Sequence, residues 1–485
     1  MSYELVWFKR DLRWEDHAAL AHAARRGPVR CIYIVEPGLW QQADMALGHF
    51  GFITESLIDL DAELRKQGGG LEVFTGEVIE ILDKVWQHQP FTGLHSHEET
   101  GNQWTYDRDR RVGRWCRDHH IPWHEYPQFG VVRRLKSRNA WQAAWERQMA
   151  SSPEMVPPLS FWNHSIQRGG RSLALKTLDN FLTHRSQRYR GGISSPVTAP
   201  QACSRISTYL AYGCLSMREV VSRTRSMITE EGISVRQKAG LRAFLSRLYW
   251  HCHFIQKLES EPEIEWRNMH RGYDGLREND FNHEHFEALK AARTGWPMVD
   301  ACVVMLRETG WLNFRMRAML VSVAAYPLWL HWRPVGEWLA TQFLDYEPGI
   351  HWSQLQMQSG TTGINTTRVY NPIKQAMDHD PTGEFVRTWL PAMRKVPDTY
   401  LFEPWNMPQA LQEQLGIRVG FEIPVPIVDL AIATKEAKSR LYGRRQLAEV
   451  RIAKQAVLEK HGSRKTMHRT RAKAAPEKAQ LGFDF

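Results

Sequence analysis

Up to about residue 130 the chain alternates between short apolar runs and helical periodicity, and this alternation limits its fold more than any other feature. Strands are predicted at Leu5 to Phe8, Val29 to Val35 and Leu71 to Phe74, and near Leu94 and Trp123. Between them, Ile53, Leu57, Leu60 and Leu64, then Val78, Ile81, Leu82 and Val85, then Val112 and Trp115 recur at helical spacing. Crossovers long enough to hold a helix join parallel neighbours, so the pattern implies a doubly wound parallel sheet. Gly68-Gly69-Gly70 lies between a helix and a strand and lacks the G-x-G-x-x-G spacing of a phosphate cradle, so it reads as a turn.

The 485 residues exceed one ordinary core, and the organisation changes along them. Residues 1–130 read as the α/β domain. Prolines and glycines, among them Pro153, Pro157, Gly169, Gly170, Gly191 and Pro196, interrupt 131–200, which is expected to be an interdomain connector. From 201 to 435 helical periodicity dominates, with Leu241, Phe244, Leu245 and Leu248 on one face, so an all-α domain is expected. Residues 436–485 read as a basic helix through Val450 and Ile452, followed from His461 by a tail too poor in apolar residues to order itself.

No run of about 18 apolar residues is present and the start lacks the features of a secretory signal, so a cytoplasmic protein without membrane spans is expected, acting as a monomer. Six cysteines without a CxxC pair argue against a disulfide framework, a zinc ribbon or a clustered iron–sulfur site. His95-Ser96-His97, His251-Cys252-His253 and His283-Glu284-His285 lack the HExxH spacing, so no metal is expected. The net charge of +10 favours a polyanionic partner, although a basic surface without a partner has the same composition. Twenty tryptophans are many for this length; indoles fill cores, but they also stack on bases and planar cofactors.

Three stretches of the helical half could carry chemistry. Cys203-Ser204-Arg205-Ile206-Ser207 places hydroxyls and free backbone N–H groups ahead of a helix, which suits a diphosphate and suits an ordinary N-cap as well. On a helix Arg247, Trp250, His251 and Phe254 share one face, able to line a cavity for a planar anionic ligand or to cover an exposed surface. Arg317 and Asp345 are candidates for a buried ion pair, a weak stabiliser that needs a reason such as a polar cofactor edge.

Five segments in order resemble the photolyase/cryptochrome family: Val6 to Arg13, Ser204 to Ser207, Thr294 to Asp300, Gly310-Trp311, and Arg368 to Pro372 with Pro381 to Pro391. The resemblance spans roughly residues 4 to 435. It implies an N-terminal α/β domain, a helical FAD-binding domain, and either light-driven repair of pyrimidine dimers in DNA or blue-light sensing without repair. It places the FAD diphosphate near Tyr189, Cys203, Ser204, Arg205 and Ser207, and the flavin near Phe244, His251, Trp311, Arg315, Arg317, Asp345 and Glu347. Trp250 matches a lesion-stacking position, with Arg247 as its catalytic neighbour and Leu355 at a second substrate-binding position.

Several positions depart from the family pattern. Cys203 stands for threonine, His251 for arginine, Arg247 for glutamate, Phe314 for asparagine and Leu355 for a second tryptophan. Trp352 and Trp332 fall at or beside the proximal and middle electron-relay positions, while Asn279 to Phe281, at the distal one, holds no tryptophan. Some members carry a second antenna chromophore of folate or deazaflavin type near the place of Trp104 to Arg111, a stretch that also reads as ordinary helix surface. The last residues, Gln480 to Phe485, resemble the short peptides that dock on bacterial sliding clamps.

Overall fold

The computed structural model describes residues 3–67, 69–135, 141–151, 167 and 169–462. Five parallel strands, β1 (Glu4–Phe8), β2 (Val29–Val35), β3 (Leu71–Thr75), β4 (Gly93–His97) and β5 (Trp123–Tyr126), form one sheet in the order β3-β2-β1-β4-β5. In the centre Val6 pairs with Cys31 and with His95. The chain reverses its direction of winding between β1 and β4, and the strand ends there open a crevice.

Side chains alternate across the sheet with a period of two. Leu5, Trp7, Ile32 and Ile34 join Val78, Ile81, Leu82, Val85, Val112 and Trp115 in one core. Val6, Phe8, Cys31 and Tyr33 turn to the other face, where Phe52, Leu57 and Leu60 meet them. That second core continues without a break through Tyr209, Leu210, Leu241 and Phe244, so the sheet and the helical half share buried apolar surface. Gly213, at φ +64, lies at this junction; a Cβ there would sit 2.3 Å from the Arg10 carbonyl oxygen, so glycine is needed for both backbone and space.

The stretch expected to be a connector is largely structural. Helices Trp141–Ala150, Arg171–Asn180 and Ser186–Gly192 occupy its described residues, and Ala174, Leu178, Phe181, Leu182 and Tyr189 are buried in the shared core. Among its described residues, Gly169 and Gly170 precede the helix Arg171–Asn180 and Gly191 marks a kink at the end of Ser186–Gly192. Residues 201–435 are mainly helical as expected, around a further core that includes Trp296, Leu306, Met319, Leu339 and Trp352. Two C-terminal helices, Leu430–Gln446 and Ala448–His461, close it; Val450 is buried while Ile452 faces solvent. The clamp-like segment Gln480 to Phe485 lies outside the described residues. Among those residues no helix is long and apolar enough to cross a membrane.

One histidine cluster not singled out by spacing forms at the sheet crevice. Asp11 Oδ2 lies 2.9 Å from His17 Nε2 and 2.7 Å from His97 Nδ1, all buried. His17 Nδ1 accepts the Leu20 N–H at 3.0 Å, which leaves the ring proton on Nε2, facing Asp11. A metal would need that nitrogen's lone pair, so the geometry is that of a hydrogen-bonded carboxylate and not of a ligand set.

Candidate functional site

Most of the residues singled out in the helical half converge between the long helix Val235–Ser260, the helix Phe314–Ala325, and the turn before the helix Pro348–Ser359. Phe244 is fully packed against Phe181 and Tyr189, and this floor holds the long helix against Ser186–Gly192. Cys203, Ser204, Arg205, Ser207, Arg247, His251, Arg315, Arg317 and Asp345 are each half-buried although their neighbours Ala202, Ile206, Leu248, Cys252, Met316 and Leu344 are buried. These half-open positions set among closed ones keep polar side chains within reach of a ligand.

Its charges are fixed. Arg317 Nη2 meets Asp345 Oδ2 at 2.9 Å, its Nε donates to the Leu312 carbonyl at 2.6 Å, and its guanidinium lies 4.0 Å from the Phe343 ring centroid. Burial would raise the Asp345 carboxyl, yet Arg317, the Ser207 hydroxyl and Arg205 hold it below the usual carboxylate range. Burial, followed by the Arg10 charge, pushes His251 down to about 4, so its imidazole is neutral near pH 7. Arg205 stacks over Trp311 at 4.0 Å with its backbone at φ +62, a left-handed conformation uncommon outside glycine and typical of functional sites when held there. Burial raises the Cys203 thiol to about 12, so where the family has a hydroxyl this chain has a neutral, weak donor.

Several polar atoms here are buried without partners: Asp345 Oδ1, His251 Nδ1, Arg315 Nε, Asn313 Oδ1 and Glu347 Oε1. Clustered orphans of both polarities fit a ligand that has donors and acceptors along a planar edge.

Some expected residues sit elsewhere. Leu355 is 2% exposed and packs on Gly336, so it belongs to the core and presents no surface to a substrate. Glu347 gives one oxygen to Arg10 of the α/β domain at 2.8 Å, which leaves only Oε1 for a ligand. Trp250 is half-buried beside His253 and Phe254, open on the same helix that carries His251. Trp332 and Trp352 are both buried with ring centroids 6.0 Å apart at 69°, and Trp332 Nε1 donates to Asn268 Oδ1 at 2.8 Å. Three residues were not foreseen: Arg10, Arg185 and Asn313, the last donating to the carbonyls of Ile193 and Ser194 at 3.1 and 2.8 Å.

Residues 4–134 match the family model described as DNA photolyase, and residues 244–443 the one described as the FAD binding domain of DNA photolyase. The chain belongs to the photolyase/cryptochrome family. The helical half of this photolyase/cryptochrome protein is therefore a FAD-binding domain, and the orphaned atoms named above fit that cofactor. The deoxyribodipyrimidine photo-lyase of Alkalihalophilus pseudofirmus is 24% identical over 91% of this chain and 98% of its own length. A Cryptochrome DASH of Gloeobacter violaceus is 25% identical over 88% and 93%. Among solved structures, a bacterial class III photolyase from Agrobacterium tumefaciens superposes with a TM-score of 0.80 at 23% identity, covering 92% of this chain and 98% of its own. An archaeal photolyase from Sulfolobus tokodaii, described with two FAD molecules, gives 0.74 at 24% identity over 91% and 99%.

Proposed function

We propose that this protein repairs ultraviolet-induced pyrimidine dimers in DNA with blue light. The observation that carries this reading is Trp250, a half-open indole on the helix that lines the flavin site, in a chain of net charge +10. When bound, reduced and excited by light, FAD would supply one electron to the lesion and take it back once the dimer has split. The chain's own residues do the rest. Lysines and arginines hold the DNA backbone, and a damaged base pair, already weakly stacked, is turned out of the duplex. Trp250 offers the flipped lesion a stacking face, and Arg247 beside it faces the lesion's oxygens or phosphate. Arg317, fixed by Leu312 and Asp345, keeps a set charge beside the ring, and neutral His251 offers a lone pair or an N–H without adding charge.

A second reading, a blue-light sensor without repair activity, draws support from Leu355: with that side chain in the core, Trp250 is left without a second stacking ring at that position. Illuminating the purified, reduced protein with dimer-containing DNA separates the two. Recovery of the absorbance of intact pyrimidines supports repair, and none under conditions where the flavin is photoactive rejects it. Exchange of Trp250 for alanine is expected to weaken binding to dimer-containing DNA by about 1 to 3 kcal/mol while flavin absorbance stays normal. Equal affinity of the parent for damaged and undamaged DNA rejects repair outright.

A second chromophore of folate or deazaflavin type would take the cleft at the ends of β1 and β2, lined by Trp7, Tyr33, Trp40, Asn102, Arg108 and Tyr212. Its 60 Å³ is far below the roughly 300 Å³ of small-molecule sites, so occupancy requires the cleft to widen.

A further inference from the structure

The loop Cys203 to Ser207 lacks what usually makes an anion site. The helix after it, Ser207–Ala211, is five residues long and adds little dipole. The N–H groups of Ser204, Arg205, Ile206 and Ser207 nevertheless have no acceptor among the described residues. The carbonyls of the same loop do have donors. Those of Cys203 and Ser204 are held by Arg185, from Nη1 and from Nη2 at 3.1 Å, and that of Arg205 by Gln167 Nε2 at 2.8 Å. Successive free N–H groups with their carbonyls tied off form a concave, positive backbone surface.

Arg185 is the side chain that makes this arrangement. It closes the π-helical turn Phe181–Arg185, a widened turn of the kind that recurs at functional sites. Its Nε donates to Asn180 Oδ1 at 2.6 Å and its Nη2 also to the Thr177 carbonyl at 3.1 Å, so the guanidinium is anchored at both ends. Among the described residues no carboxylate pairs with it. The positive charge behind the Cys203–Ser204 backbone is therefore uncompensated by a paired carboxylate, and Arg205, stacked on Trp311 and within reach of the Asp345 charge, adds to the positive surface of the loop.

We propose that Arg185 is a positioning residue for FAD: it orients the Cys203 to Ser207 backbone toward the diphosphate and supplies through-space charge without touching it. The inference rests on the reading that this loop holds the FAD diphosphate.

The test measures release of FAD from the purified holoprotein, followed by flavin fluorescence, together with the phosphorus NMR shifts of the bound diphosphate. Arg185→Met is expected to release FAD at least about tenfold faster, since hydrogen bonds from a charged group are among the stronger ones. Arg185→Lys, which keeps the charge but not the fork, is expected to fall between, with shifted diphosphate resonances and an unchanged flavin visible band. A purely structural role would change the visible band and the melting temperature together with release. Should Arg185→Met fail to fold, Asn180→Ala, which frees only the Nε anchor, is expected to speed release several-fold while the fold is kept. Parent-like release and parent-like phosphorus shifts in Arg185→Lys, or in Asn180→Ala if only that variant folds, overturn the proposal. Failure of the underlying site reading is visible separately, as a Ser204→Pro variant that removes one of the loop N–H groups and yet leaves both FAD release and the phosphorus shifts untouched.

Discussion

Replacing Asp345 by alanine is expected to empty the flavin site. Arg317 cannot follow the lost carboxylate into solvent, because its Nε is bonded to the Leu312 carbonyl and its plane rests on Phe343. The guanidinium would stay where it is, unpaired and itself 25% exposed in the empty site, and it would be left uncompensated once a flavin covered it. Breaking a buried pair from one side costs about 3 to 5 kcal/mol, because one charge is left uncompensated. The same exchange removes Asp345 Oδ1, one of the orphaned acceptors available to the cofactor. Flavin per polypeptide after purification, read from absorbance, checks the expectation. Asp345→Asn, which keeps shape and one acceptor, should retain part of the flavin, whereas full occupancy in Asp345→Ala would show that the cofactor is held elsewhere.

The sheet was legible because its signal is local. Apolar runs and helical periods of the first 130 residues lie within the span of one element, and all five strands fall where that pattern puts them. The Arg317 with Asp345 pair was legible as a candidate buried ion pair, which the resemblance then set beside the flavin, and the structure brings the two within hydrogen-bond distance across 28 residues. Arg10 with Glu347 was not visible, since its partners are 337 residues apart and each has ordinary neighbours in sequence. Arg185 was hidden for another reason. Its stretch reads as a connector from its prolines and glycines, and its role is to bond backbone carbonyls, which leave no trace in side-chain spacing. Leu355 shows the reverse error. Carried over as a substrate position, it is turned inward by helical phase onto Gly336, where a residue with any side chain would collide with it.

Between about pH 7 and pH 4.5 the protein is expected to change little in stability, then to lose it steeply below. Buried histidines pull one way. His97 is pushed down to about 3, and His251 and His351 to about 4, in each case chiefly by burial. An unfolded histidine binds its proton near 6.5 while these folded ones refuse it, so each favours unfolding as pH falls from about 6.5 to its folded value. For His251 and His351 that is about 3 kcal/mol apiece, since each tenfold loss of proton affinity on folding is worth about 1.4 kcal/mol. Buried carboxyls pull the other way. Burial and the neighbouring Glu98 and Glu125 raise Glu259 to about 7 despite Arg133, burial raises Glu265 to about 7 despite its bond from the Gln103 N–H, and burial raises Asp300 to about 6 despite its bonds from Thr294 and the Gly295 N–H. These bind protons in the folded state before the unfolded chain does, so they add stability as pH falls from about 7 to 4.5. Below that range the carboxyls have no more to give. Glu261, held at about 2 by His461 and Lys460 against its burial, and Asp11, held well below its usual value by His17 and His97, then lose their pairings as they protonate. A melting-temperature series across pH checks the shape of this curve. The sharper test is Glu259→Gln, which removes one compensating carboxyl: its stability at pH 4.5 relative to pH 7 should fall by about 3 kcal/mol more than the parent's. If its acid limb coincides with the parent's, Glu259 is an ordinary carboxylate and the balance between buried histidines and buried carboxyls is not what shapes the curve.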